Sequence, residues 1–480
     1  MAENNSSKIK TKSSEKETNK ALTAKKEDKF RQDLTKGSVT KQLMKFAIPF
    51  LLSNLLQALY SVADMIIVGH FRGQIGITGV NIGSQINILV TGAALGLAVG
   101  GTVMIAQYGG AMKFAEQRKT TGTLFTLYMI VAVVMTAVML IFGKPLLTLL
   151  GTPVEAYGEA ESYYEICMGG LVFLFAYNVI SAILRGMGDS KRPLYFVLIA
   201  AIVNVAGDYI LCNPAFGFNY GAKGAAIATV SAQGLSVILS LLYLIKNKFF
   251  AEYHISDFKI DKEKAKMLLK IGLPSSVQQV VVSFSFLTLT ALVNSLPNAL
   301  VASACQGIGG KVNSFAILPA LAMSSAVSSM AGQNIGAGEI DRAKKTMFAG
   351  MKIAFAISAI VFIIVVAFPD FIIGLFDKTP ETIETGRTYL RLIALDYLLV
   401  PFVFCMNGLA IGAGYTNFAL FNACFSSILV RAPLAYIVVK LSTLGFDGVG
   451  LATGLASVAS LIVGAIFIAS GKWKKPKIKI

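Results

Sequence analysis

From about residue 43 onward the chain is a succession of apolar stretches, each ended by glycine, proline or a cluster of charge. Each is about 20 residues long or more, enough for a helix to cross a hydrocarbon core of roughly 30 Å. Spans are predicted near 43–70, 76–109, 120–142, 159–184, 193–212 and 222–245, and again near 264–295, 299–335, 343–368, 386–411, 415–440 and 447–470. Residues 1–41 are different, being rich in Lys, Ser, Thr and Glu. They contain no short apolar run followed by a small-residue cleavage site, so the pattern predicts a disordered tail rather than a secretory signal.

Composition agrees with a membrane protein. Only 14% of the 480 residues are charged and the mean hydropathy is +0.67, whereas a soluble domain carries about 25% charged residues. The fold class is therefore all-α and integral to the membrane, with twelve transmembrane helices. A net charge of +17 could suggest nucleic-acid binding, but its distribution argues otherwise. With the N-terminus inside, the inward-facing segments hold 33 Lys and Arg and the outward-facing ones 7. That asymmetry follows the positive-inside rule for an even number of spans, so the charge sets topology with both termini cytoplasmic, and no nucleic-acid partner is expected. The cysteines Cys167, Cys212, Cys305, Cys405 and Cys424 show no paired spacing, which predicts packing residues rather than disulfides or a metal site. His70 and His254 both fall near span ends, as interfacial residues do.

The chain also resembles itself at an offset of about 226 residues. Leu43 to Pro49 aligns with Leu268 to Pro274, Gln107 to Ala111 with Gln333 to Ala337, Asn87 with Asn313, and Gly186 to Gly188 with Gly412 to Gly414. Six spans per half make the repeats parallel, related by an axis along the membrane normal, with substrate bound between two rocking lobes. The expected organisation is a tail at 1–41, an N-terminal lobe at 42–246, a cytoplasmic linker at 247–263, a C-terminal lobe at 264–471 and a basic tail at 472–480.

Several motifs occur in order on these spans: Pro49 and Asp64 on the first, Gln107 to Ala111 leaving the second, and Leu184 to Pro193 between the fourth and fifth. They continue with Asn204 to Asp208 in the fifth, Lys223 to Thr229 opening the sixth, and Gly332 to Gly338 in the second half. On these motifs the chain resembles the MATE (multidrug and toxic compound extrusion) family, in its bacterial DinF-like and MepA-like branch, over about residues 38–470. The resemblance implies two six-helix lobes in a V shape in a bacterial cell membrane. It further implies export of lipophilic, often cationic, small molecules against Na+ or H+, with no cofactor and a monomeric protein. Asp64, Asn204, Asp208 and Thr229 stand where the N-terminal lobe of relatives holds its coupling cation.

The chemistry of those residues points the same way, because an intramembrane Asp is retained mainly where it meets a cavity, a partner or an ion. Counted at 1.5 Å per residue, Asp64 lies roughly 27 Å beyond Phe46 and Asp208 roughly 22 Å beyond Pro193, both in the outer half of outward-running helices. Two carboxylates, an amide oxygen and a hydroxyl can hold Na+, or the carboxyl pair can share a proton. The repeat places Leu289 opposite Asp64 and Leu434 or Ala435 opposite Asp208, so the second lobe holds no duplicate of this set. Gln57, Tyr60, Asn87, Asn178, Ser181, Gln278, Lys311, Asn313 and Asp396 are candidates to line the substrate cleft, though intramembrane polar residues also serve helix packing. Two other classes compete. A flippase for lipid-linked oligosaccharides would need several cleft cations, and the chain offers mainly Lys311 and Arg431. An integral-membrane enzyme would need acidic metal-binding pairs, a His-rich cluster or a Ser/His arrangement, and none is present.

Overall fold

A computed structural model describes residues 30–442 and 444–478, and among them every regular element is a helix. The first, α1 (Val39–Gly110), carries two spans joined at Gly73, whose φ of 61° and ψ of −150° suit glycine alone. α2 (Phe114–Leu149) is the third span. α3 (Val154–Gly169) and α4 (Leu171–Gly186) make the fourth, bent by 47° at Gly170. α5 (Lys191–Cys212) and α6 (Ala222–Lys246) complete the first half.

The second half repeats the plan. α7 (Lys262–Asn294) is followed by α8 (Ala299–Ala316) and α9 (Leu318–Gly336), which form one span. Pro319 in the first turn of α9 has no amide to bond back into α8, which accounts for the break at Ile317. α10 (Ile340–Ala367), the short α11 (Pro369–Gly374) and α12 (Pro380–Gly412) come next. The eleventh span runs through α13 (Thr416–Cys424), a π-helical turn (Phe425–Arg431) and α14 (Ala432–Leu441), and α15 (Asp447–Ala469) is the twelfth. Pro433, lacking an amide, sits just after the wide turn and withholds the bond that would have kept it α-helical.

Buried side chains form one core in the first half, built around Leu124, Tyr164, Phe175 and Ile183, and two in the second. At several places the cores do not follow chain order, two of them related by the repeat. Leu43, Phe46 and Ala47 at the start of α1 pack with Met323, Met330 and Met347 of the second half. Leu268 and Ile271 at the start of α7 pack into the core of the first half. The two helices thus exchange their first turns across the seam, as a twofold-related pair should.

The seam is tightest at the end bearing both termini. A Cβ on Gly110 would collide with the Gln333 carbonyl, and one on Gly336 with the Gln107 carbonyl. The Gln107 side-chain amide donates to the Gly412 carbonyl (2.7 Å), the Gln333 amide to the Gly186 carbonyl (3.4 Å), and the Ser276 hydroxyl to the Ala93 carbonyl (2.8 Å). Beyond the depth of Ser276, no hydrogen bond or ion pair among the described residues joins the lobes.

Of the tail expected to be disordered over 1–41, residues 1–29 lie outside the described residues, but residues 30–38 are packed. Phe30 and Leu34 are 6% and 4% exposed, and neighbouring backbone groups are hydrogen bonded to both lobes. Apolar burial and backbone pairing together offset the entropy of ordering this segment. In the basic tail expected at 472–480, Trp473 and Ile478 are likewise buried, and residues 479–480 lie outside the described residues.

Candidate functional site

Asp64 lies in the half of the first span farther from the N-terminus, with Tyr60 one turn and Gln57 two turns earlier on the same face. Asn204 and Asp208 are one turn apart on α5, and Thr229 is on α6. α5 and α6 can meet here because of Gly207: a Cβ at that position would stand only 3.0 Å from the Ala228 Cβ. That close approach brings Asn204 within reach of Thr229.

All four predicted cation-site residues converge. Asp64, Asn204, Asp208 and Thr229 are buried, Asp208 completely at 0% exposure. The Asn204 side-chain amide donates to the Thr229 hydroxyl (3.2 Å), and that hydroxyl donates to Asp64 Oδ2 (3.3 Å). Asp208, one turn beyond Asn204 on α5, adds the second buried carboxyl of the group. Asp64 Oδ1, Asn204 Oδ1 and both Asp208 oxygens have no protein partner. Buried oxygens of this kind are costly unless a cation or a proton satisfies them. Among the described residues no three His, Cys, Asp or Glu side chains gather as a metal site. With two carboxylates and two neutral oxygens, the set fits a monovalent hard cation better than a tightly held divalent one.

A cavity of about 50 Å³ adjoins Asn204 and Thr229. That is room for a few water molecules, or for one polar group of a larger ligand. Of the nine cleft candidates, Gln57, Tyr60 and Asn178 line it, together with Thr91, Tyr177, Gln233 and Ser236, which sequence reading did not single out. Gln233 had a signal, since it follows Thr229 by one helical turn. Thr91 and Tyr177 had none, because nothing local marks the face of a span that turns to a cavity.

The other candidates do not line this cavity. Ser181 is buried next to this region with its hydroxyl unpartnered, but it does not line the cavity. Asn87, Gln278 and Asn313 are half-buried and Lys311 is exposed. Asp396 is buried in α12, and its Oδ1 and the Arg431 Nε and Nη1 have no hydrogen-bond partner. Arg431 stacks on the Phe286 ring at 5.1 Å, and Arg391 donates to the Val366 carbonyl at 3.2 Å.

Comparison with known proteins fits this geometry. A family model described as MatE matches residues 49–210 and again residues 274–437, once in each half. The probable multidrug resistance protein YpnP of Bacillus subtilis is 29% identical over 452 residues, covering 93% of this chain and 98% of the relative. The multidrug export protein MepA of Staphylococcus aureus is 21% identical over 434 residues, covering 89% and 94%. A solved structure described as the outward-facing conformation of a multidrug resistance MATE family transporter of the MOP superfamily superposes with a TM-score of 0.86. It is 25% identical and covers 92% of this chain and 98% of its own.

Proposed function

This chain belongs to the MatE family of multidrug efflux transporters, and on that premise we propose that it exports lipophilic, cationic small molecules in exchange for Na+ or H+ by alternating access. It acts as a monomer in a bacterial cell membrane, with both termini in the cytoplasm. The observation that carries the reading is the group of unpartnered buried oxygens on Asp64, Asn204 and Asp208, set beside a cavity lined by Gln57, Tyr60 and Asn178.

In this reading Asp64 and Asp208 bind the incoming cation, while Asn204 and Thr229 orient them through the hydrogen bonds Asn204 to Thr229 to Asp64. A cationic substrate and the coupling cation compete for the same negative charge, so filling the site from outside expels the substrate. Each elementary charge that moves inward across 100 mV releases about 2.3 kcal/mol, and the outward move of a monovalent cationic substrate takes the same amount back, so a one-for-one exchange is driven by the concentration gradient of the coupling ion. The lobes are joined at the end bearing the termini; with that end taken as cytoplasmic, this reading has the cation arrive from outside.

The test is efflux of a fluorescent organic cation from proteoliposomes, driven separately by a Na+ or a pH gradient. One of the two gradients should support efflux by the parent protein and so identify the coupling ion. Failure with both would overturn the exchange mechanism and favour movement of a lipid-linked substrate.

A further inference from the structure

We propose that residues 30–37 form a latch that holds the two lobes together at the end bearing the termini, and that its attachment to the N-terminal lobe must release before that end can open. The segment lies before residue 49, where the MatE match begins.

One half of the strap grips the N-terminal lobe. The Phe30 ring lies 5.0 Å from Phe249 and 6.1 Å from Tyr243, and the Arg192 guanidinium stacks over it at 4.9 Å. Arg31 stands 4.2 Å over the Phe114 ring and pairs with Glu252 at 3.4 Å. The Gln32 amide donates to the Met187 carbonyl at 2.9 Å. The other half grips the C-terminal lobe. Leu34 is buried with Met330, Ile335 and Met347. Its amide donates to Gln333 Oε1 (3.1 Å), and its carbonyl accepts from the Asn334 side-chain amide (3.4 Å) and from Arg342 Nε (3.4 Å). Arg342 also donates to the carbonyls of Lys36 (2.9 Å) and Gly37 (2.8 Å).

The two attachments are only two residues apart, at Gln32 and Leu34. Two residues of fully extended chain span at most about 7 Å. Rocking that separates Met187 from Gln333 by more than a few ångströms must therefore break one attachment. The N-terminal one gives way, because Leu34 continues into the first turns of α1, where Leu43 and Phe46 are packed in the core of the C-terminal lobe. The strap then travels with that lobe, leaving Phe249 and Glu252 behind, and its rebinding favours the state closed at this end.

The inference rests on alternating access as proposed above, and its test reads conformation rather than transport. Spin labels at Lys191→Cys and Lys345→Cys, both exposed and on opposite lobes, report the opening. The half-buried Cys424 is replaced by Ser, and the other four cysteines are buried. In full-length protein in nanodiscs, Phe30→Ala with Arg31→Ala should raise the long-distance population at least threefold. Replacing residues 30–37 by a Gly/Ser octapeptide should raise it further. Unchanged distance distributions in both variants would overturn the latch, and if the octapeptide variant does not fold, the double substitution decides alone. A shifted distribution in a protein that exports no cation would retain the latch and sink the export reading.

Discussion

Thr229 is the residue through which the cation set is wired, since it accepts from Asn204 and donates to Asp64. Thr229→Val keeps the shape and removes the hydroxyl, leaving the Asn204 amide without its acceptor. Losing such a bond costs about 1 kcal/mol, so the Na+ or H+ concentration for half-maximal efflux should rise roughly fivefold with maximal efflux retained. Asp64→Asn and Asp208→Asn remove the charge itself and should abolish gradient-driven efflux while the protein still inserts and elutes as a folded species. Full efflux by both Asn variants would remove these carboxylates from the mechanism. Asp64, Asn204 and Asp208 stood out in the sequence because ionisable and amide groups are conspicuous against apolar spans, whereas Thr229 was singled out only through the family motif that carries it. Their partners Thr91 and Tyr177 were not, because a threonine or tyrosine in a span carries the same signal whether it faces lipid, a neighbouring helix or a cavity. For the same reason Asn87, Gln278, Lys311 and Asn313 looked equivalent to Gln57 in sequence, and only the packing separates them.

At the scale of helices, the site depends on how closely α5 and α6 run, and Gly207 sets that distance. Gly207→Val forces branched carbons against Ala228, an overpacking that costs about 1–3 kcal/mol. It should lower the thermal unfolding temperature in detergent and weaken cation dependence together, because separating the helices pulls Asn204 from Thr229. Gly158 in α3 is the contrasting case, since a Cβ there meets nothing within 4 Å. Gly158→Ala should be neutral or stabilising by up to about 1 kcal/mol, with transport unchanged. Hydropathy located most helices to within about five residues, since length and apolarity are summed over many positions, but α2 and α12 begin six residues earlier than expected. It did not reveal the 47° bend at Gly170 or the π-helical turn before Pro433. Glycine and proline permit such irregularities, but the neighbours, here Val230 packed against Gly170, decide whether they occur.

For the whole molecule, the repeat in sequence foretold two equivalent lobes, and the matching runs Gln107 to Ala111 and Gln333 to Ala337 prove to be the surfaces on which those lobes meet. Sequence alone could pair the motifs but could not show that each glycine receives the carbonyl of the other's glutamine, because that contact depends on how the two lobes are assembled. The strap was equally hidden, as Phe30 and Leu34 are two isolated apolar residues in a polar tract and their burial depends on surfaces hundreds of residues away. The reciprocal contact leads to a sharp expectation. A side chain at Gly110 or Gly336 strikes backbone, which cannot rotate aside, so Gly110→Val and Gly336→Val should each pry the seam apart at the end bearing the termini. Labels at Lys191→Cys and Lys345→Cys should then report the long distance as the majority state, and gradient-driven efflux should fall by at least tenfold. Because both changes break one seam, the double variant should be little worse than either single one, the non-additivity expected of contacts that act as a unit. Gly310→Ala, where a Cβ meets nothing within 4 Å, should leave the distances as they are. Unaltered distances in both valine variants would mean that the lobes are held shut elsewhere, and would move the weight of closure from the paired glycines to the strap.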